Sequence, residues 1–299
     1  ITRAAGDQYL AVFHRVSFIL DRACPDRGTP DAGKRQSLSI LARINRDAGR
    51  IACCDAAICE HRHCHRIRTR QVMVRSGKQV DPLLPRPFSI HRLIQKKGSV
   101  SGLELLYKVV GKGTQLLSHL QSGDVLTMTG PLGKGFEIPA AVLKVQIVAG
   151  GMGVAPMVFL AQTLTESKRN LSFVEVFIGG RTKTDLLCLQ DFSTLGLTVH
   201  VTTDDGSSGD QCLVTDPLDM AVAKNRPDII CACGPMEMLT CVAGIAEKHN
   251  VCCQVSIETM MACGMGACLG CAVAAREHAR RYLHACKDGP VFDTRDLRI

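Results

Sequence analysis

From Gln71 onward, short apolar runs alternate with Gly, Pro, Ser and Lys. QVMVR (71–75), FSIHRL (88–93), LELLYKVV (103–110) and DVLTMTG (124–130) read as strands. Their spacing predicts an antiparallel barrel or sandwich. From about residue 144 the period changes. VQIVAGG precedes a helix over 155 to about 167, and LSFVEVFIGG a short helix near 183–189. LTVHVTTDDG leads to a helix near 216–224, DIICACG to one over 236–248, and VCCQVSIE closes the series. Alternation of strand and helix over such a length predicts a parallel, doubly wound sheet.

The first 70 residues do not share this order. They hold 12 Arg and one Lys against 7 Asp and Glu, with four of the ten His and five of the sixteen Cys. CCDAAICEHRHCHRIRTR (53–70) shows neither alternation nor a helical stripe, whereas YLAVFHRVSFIL (9–20) reads as a short helix or strand. The composition resembles coding sequence read in a shifted frame, which is the preferred expectation for residues 1–70. A divergent extension is one alternative. A Cys/His metal site around Cys53, Cys54, Cys59, His61, His63, Cys64 and His65 is another.

This asymmetry changes the meaning of the net charge of +8. A nucleic-acid footprint should lie on the folded domain that grips phosphate. Beyond residue 70 the balance is 23 basic against 21 acidic side chains, so no nucleic-acid partner is expected. The longest apolar run, VQIVAGGMGVAPMVFLAQTL (145–164), contains Gln, Gly and Pro and reads as strand, turn and helix rather than a membrane span. With no signal-peptide pattern visible, a cytoplasmic setting is expected. There, clustered cysteines more often bind metal or carry redox chemistry than form disulfides.

The cysteines cluster in ETMMACGMGACLGCAV (258–273), with a fourth in YLHACKDGPVFD. Cys263, Cys268, Cys271 and Cys286 are spaced C-x4-C-x2-C-x14-C, and the short intervals match a plant-type [2Fe–2S] arrangement. A loop wrapping an inorganic core must turn several thiolates inward at once. Gly264, Gly266 and Gly270 are expected to supply the positive φ angles, and their N–H groups can approach cluster sulfurs. A structural zinc site, which favours paired short-spaced thiolates, and buried free thiols are the alternatives. Cys231, Cys252 and Cys253 lie in apolar strand runs and read as core.

AGGMGVAPM (149–157) follows a strand and opens a helix, so Gly150, Gly151 and Gly153 would admit a pyrophosphate to a helix N-terminus. A plain strand–helix turn is the alternative. CGPMEML (233–239) repeats the arrangement. Two such turns at the C-terminal edge of one sheet place a ligand between them. RPFS (86–89) and YKVVGKGT (107–114) precede both.

The order RPFS, G-x-GT, GGMGVAP, CGP resembles the ferredoxin–NADP⁺ reductase plan, an FAD-binding barrel followed by a nicotinamide-binding domain. With CGMGACLGCAV and CKDGPVFD added, the chain from about Gln71 to Ile299 resembles the electron-transfer subunits of dihydroorotate dehydrogenase B. The resemblance implies that Arg86 contacts the FAD pyrophosphate. It places Pro87, Phe88 and Ser89 at the isoalloxazine ring and Leu106, Tyr107 and Lys108 on the flavin nucleotide. Gly113 and Thr114 would hold the phosphates. Gly151, Gly153 and Pro156, with Cys233, Gly234 and Pro235, would flank the nicotinamide nucleotide. Cys263, Cys268, Cys271 and Cys286 would bind the [2Fe–2S] cluster.

By the same resemblance, a separate FMN-containing subunit oxidises dihydroorotate for pyrimidine biosynthesis, in a heterotetramer of two copies of each chain. Electrons then pass through the cluster and FAD to NAD⁺. Flavin suits the middle place, because nicotinamide takes two electrons together and the cluster one at a time. The cofactors carry this chemistry and the protein positions them; no residue is assigned as catalytic. A flavin and iron–sulfur reductase acting between NAD(P)H and ferredoxin or a sulfur compound is a second reading, and a non-catalytic iron–sulfur sensor a third.

The expected organisation is α/β plus β. Residues 1–70 form an atypical segment, out of frame or disordered, and 71–141 an FAD-binding β-barrel. Residues 142–250 form the NAD-binding α/β domain and 251–299 a small [2Fe–2S] domain. The family's barrel has two strands before the QVMVR position; nothing upstream resembles them, so an incomplete barrel is expected.

Overall fold

The computed structural model describes residues 13–21, 38–45, 71–76, 83–96, 99–121, 124–167, 169–276 and 282–299. Six strands form the first unit: β1 (Phe13–Asp21), β2 (Leu38–Asn45), β3 (Gln71–Ser76), β4 (Arg86–Lys96), β5 (Ser99–Lys108) and β6 (Val125–Leu132). They pair in the order β1-β2-β6-β3-β4-β5, and β1 also pairs with β5, so the ring closes. All six pairings are antiparallel. Closure removes the free edges that an open sheet would offer to other chains.

Two of these strands come from residues 1–70, where nothing resembled the family's first barrel strands; β1 lies largely within YLAVFHRVSFIL, read as a short helix or strand, and β2 was not expected. FHRVSFILD pairs with β5 from Phe13↔Lys108 to Ile19↔Gly102, and LSILARIN pairs with β6 from Leu38↔Gly130 to Arg43↔Val125. The expectation of a barrel without its first two strands is therefore corrected. FHRVSFILD carries two Phe, a Val and an Ile, and LSILARIN two Ile, residues that suit a pleated surface despite the Arg in each. Cys53, Cys54, Cys59, His61, His63, Cys64 and His65 lie outside the described residues. Inside the barrel Leu105, Leu126, Met128 and Ile90 are buried. A helix that the strand pattern did not predict, α1 (Lys112–His119), follows β5.

The second unit is a six-stranded sheet in the order β14-β11-β10-β7-β8-β9. Its members are β7 (Lys144–Gly150), β8 (Phe173–Gly180), β9 (Thr198–Thr203), β10 (Ile229–Cys233), β11 (Cys252–Ser256) and β14 (Val291–Asp293). All neighbours are parallel except β11 and β14. Strand β10 is buried along its whole length and β7 along all but its first residue, the near-continuous apolar run of a strand covered on both faces. Val148, Phe177, Ala232 and Val255 point into one layer, and Ile147, Val176 and Cys231 into the other.

Helix α2 (Val154–Glu166) follows β7; its Pro156 lies in the first turn, where the missing N–H costs no intrahelical bond. The remaining helices are α3 (Leu189–Thr194), α4 (Thr215–Lys224) and α5 (Met236–Lys248). Helix α5 has the expected bounds, and Asn250 follows it at φ 52° with its N–H on Glu247 O, a left-handed C-terminal stop. The expected helix near 183–189 is instead a 3₁₀ turn over Lys183–Asp185 followed by α3.

The cysteine loop rises from β11 and returns through the hairpin of β12 (Ala272–Ala274) and β13 (Tyr282–His284) before β14 rejoins the sheet. The sheet thus continues past the expected boundary at 250/251: β11 and β14 bracket the loop and hold its ends side by side.

Candidate cofactor-binding site

The cysteine loop lies between the two units. Gly264 takes φ +70° and Gly266 φ +82°, as their places in the loop require. Gly270 was expected to do the same but does not; Leu269 adopts the left-handed conformation instead, at φ 58°. The site's four cysteines are all free. Cys271 donates to Cys286 Sγ across 3.2 Å, well beyond the ~2.05 Å of a disulfide. Cys271 and Cys286 are buried, Cys263 half-buried and Cys268 exposed.

Backbone N–H groups point at these sulfurs. Gly266 N donates to Cys286 Sγ at 3.1 Å, and Cys286 N to Cys271 Sγ at 3.5 Å. Cys268 N and Met265 N donate to Cys263 Sγ at 3.4 and 3.5 Å. Burial pushes the Cys263 thiol up, but the N–H groups of Cys268 and Met265 outweigh it and bring it down to about 6. Burial first, then the neighbouring Cys271, pushes Cys286 up to about 12. Two buried sulfurs in contact and N–H donors converging on thiols suit a group that takes up thiolate charge. The donor set therefore fits a [2Fe–2S] cluster held by Cys263, Cys268, Cys271 and Cys286.

The loop seats on the barrel. A Cβ at Gly264 would lie 2.5 Å from Met73 Cγ on β3. Met73 is 3% exposed and shares one apolar core with Cys271, Cys286 and Phe292. In register, Met73 faces Pro87 and Gln71 faces Ser89 across β3 and β4. The cysteines therefore sit one strand away from RPFS.

The residues expected at a flavin gather on β4, β5 and α1. Phe88 and Tyr107 meet edge to face with centroids 5.7 Å apart, and Arg86 donates to Leu84 O at 2.8 Å. Leu106 packs against the core of the nucleotide unit. Thr114 Oγ1 accepts from Val110 N and Gly111 N and donates to Gly111 O, so its hydroxyl closes the turn before α1. Gly113 lies in the first turn of α1, the part of a helix whose N–H groups suit an anion.

The nucleotide crevice lies where the strand order reverses, β7 leading to β8 on one side and β10 on the other. A cavity of about 530 Å³ opens there, within the range of small-molecule sites. Of the expected residues, Gly150, Gly151, Pro235 and Lys108 line it. Gly153, Pro156, Cys233 and Gly234 do not line it. A Cβ on Gly153 would fall 2.1 Å from Cys233 O, and one on Gly150 2.9 Å from Pro235 Cδ. The two glycine turns thus pack backbone to backbone. Arg181, Asp185 and Asp204 also line the cavity and were not singled out in the sequence. Arg181 and Asp204 directly follow β8 and β9, and position at the carboxyl ends of parallel strands was the signal available.

A closed antiparallel barrel, a parallel nucleotide sheet and a cysteine loop between them define an oxidoreductase subunit of the ferredoxin–NADP⁺ reductase type. Comparison with known proteins agrees. Residues 258–298 match the iron–sulfur cluster binding domain of dihydroorotate dehydrogenase B, and residues 147–244 the oxidoreductase NAD-binding domain. The dihydroorotate dehydrogenase B (NAD(+)) electron transfer subunit of Desulforamulus reducens is 41% identical over 74% of this chain and 82% of its own. That of Caldanaerobacter subterraneus subsp. tengcongensis is 41% identical over 70% of this chain and 78% of its own. Among solved structures, an NADH-dependent reduced ferredoxin–NADP oxidoreductase superposes with a TM-score of 0.66, at 26% identity over 87% of this chain and 85% of that one. The chain belongs to the family of dihydroorotate dehydrogenase B (NAD(+)) electron transfer subunits.

Proposed function

We propose that this chain passes electrons from dihydroorotate, oxidised on an FMN-containing partner subunit, through a [2Fe–2S] cluster and FAD to NAD⁺, in pyrimidine biosynthesis. The observation that carries this reading is the seat of the cysteine loop on β3. Gly264 against Met73, with Met73 opposite Pro87, brings a cluster loop and a flavin-type strand into one packed unit.

The chain's residues bind and orient. Cys263, Cys268, Cys271 and Cys286 hold the cluster, and N–H groups of the loop stabilise charge on its sulfurs. Arg86 and the first turn of α1 receive the FAD phosphates; Pro87, Phe88, Ser89, Leu106, Tyr107 and Lys108 position the flavin. Gly151 and Pro235 admit the nicotinamide nucleotide, while Gly153, Pro156, Cys233 and Gly234 fix the turns behind it. Bound FAD supplies the conversion between one- and two-electron transfer.

Exposed Met260, Met265 and Leu269 surround the loop, an apolar rim suited to a protein partner. The partner reading is the FMN subunit in a heterotetramer of two of each chain. No described helix is long and apolar enough to cross a membrane, and a cytoplasmic setting is proposed with the assembly.

The test is anaerobic NAD⁺ reduction by dihydroorotate with the reconstituted chain, with and without the FMN subunit. NADH formation only in the mixture supports the reading. NADH formation by the chain alone, or none in a mixture with both chains fully loaded, contradicts it.

A further inference from the structure

A second group of metal-ligating side chains lies on the far side of β4 from the barrel core. One ligand atom each of His91, Cys188 and Asp191 lie within 4.8 Å of one another. His91 comes from β4, whereas Cys188 immediately precedes α3 and Asp191 lies in its first turn. We propose that His91, Cys188 and Asp191 form a zinc-class divalent cation site that clamps the barrel to the nucleotide sheet. It is independent of the cluster cysteines and of the proposed electron transfer.

The chemistry of each residue supports this. His91 is fully buried, and its Nδ1 lies 3.0 Å from Ala155 O. A carbonyl oxygen only accepts, so in the neutral ring Nδ1 carries the hydrogen and Nε2 presents its lone pair. A backbone carbonyl that fixes the tautomer and ring plane is the usual support of a metal-binding histidine. Asp191 accepts from Arg92 at 2.5 Å, and hydrogen-bonded carboxylates are likewise common at metal sites. A carboxylate has about four lone-pair positions, so accepting a hydrogen bond does not bar it from ligating a cation. Cys188, half-buried, stands at φ 62°.

Mixed N, S and O donors suit a borderline-soft ion such as Zn²⁺ better than Mg²⁺ or Ca²⁺. One thiolate and one carboxylate offset its charge, with Arg92 held on the carboxylate. Zinc bonds of 2.0–2.3 Å in tetrahedral geometry set ligand atoms about 3.5 Å apart, so atoms within 4.8 Å of one another must draw in by up to about 1.3 Å. Three protein ligands leave a fourth position for water.

The test uses the full chain with its cluster assembled, so that iron occupies the four-cysteine loop. The protein is dialysed against zinc sulfate and desalted, and both metals are counted. The expected result is about one zinc per chain above the iron, with an X-ray absorption shell of one sulfur and lighter N/O donors. A higher melting temperature with zinc should accompany it. Cys188→Ser and Asp191→Asn, both at partly exposed positions, should each weaken zinc binding at least about tenfold and keep their iron. No additional zinc, zinc retained equally by both variants, or an all-sulfur shell with loss of iron would each overturn the site.

Discussion

Gly264 rests on Met73. The glycine is at φ +70° in the cysteine loop, the methionine is buried on β3, and no side chain fits between them, because a Cβ would lie 2.5 Å from Met73 Cγ and 2.8 Å from its Sδ. This contact joins the loop to the barrel strand that pairs with RPFS. Gly264→Ala combines a strained backbone with a steric overlap. It should cost about 1–3 kcal/mol and lower the iron retained per chain. Urea unfolding and iron analysis check this; an alanine variant with unchanged midpoint and iron would show that the loop does not depend on this seat.

The turns behind the nucleotide crevice depend on a similar contact. With a Cβ at Gly153 falling 2.1 Å from Cys233 O, Gly153→Ala must push GGMG away from CGP. NAD⁺ should bind at least about tenfold more weakly, equivalent to ~1.4 kcal/mol, while the iron content stays unchanged. Calorimetric titration with NAD⁺ gives the readout.

The same two contacts show how far the sequence could be read. The cysteine spacing and the strand–helix order were legible, and α5 ends where the pattern predicts. What spacing could not show was the meeting of distant segments. Nothing local in CGMGACLGC says that Gly264 will touch Met73, nor does periodicity reveal that β14 returns to pair with β11. Strand β1 lies in YLAVFHRVSFIL, where the pattern fitted a short helix or a strand, and β2 was missed; barrel closure is decided by pairing rather than by local preference. Leu269 took the positive φ assigned to Gly270, a choice set by where the chain must turn. Asp204 and Arg181 were overlooked because single charged residues after strands carry no motif.

Barrel closure makes its own prediction. Deleting residues 1–70 removes β1 and β2 and leaves β5 and β6 with unpaired edges. The shortened chain should lose FAD affinity by at least about tenfold and aggregate more readily, while cluster assembly is less affected. Flavin-to-iron ratios of the two proteins check this; equal ratios would mean that these strands are dispensable.

Glu258 gives a pH-dependent signature. Glu258 is exposed as a whole residue, yet the protein packed around its carboxyl displaces solvent and raises it above the ordinary value of 4.5, so the folded state keeps a proton that the unfolded state releases. Stability from this group is full below 4.5 and falls as pH rises through the higher folded value. Glu258→Gln should remove that fall. The urea midpoint of the variant relative to the parent should therefore increase between pH 4.5 and neutrality; a constant difference would contradict the assignment.

The most direct measurement of the central claim is electron paramagnetic resonance of the cluster after anaerobic addition of NADH, made on FAD-loaded and FAD-stripped chain. Dithionite, which should reduce the cluster in both, serves as the control. The account predicts a reduced-cluster signal with NADH only when FAD is present. A cluster that stays silent with FAD bound, or is reduced equally well without it, would contradict the path from nicotinamide through the barrel to the cysteine loop.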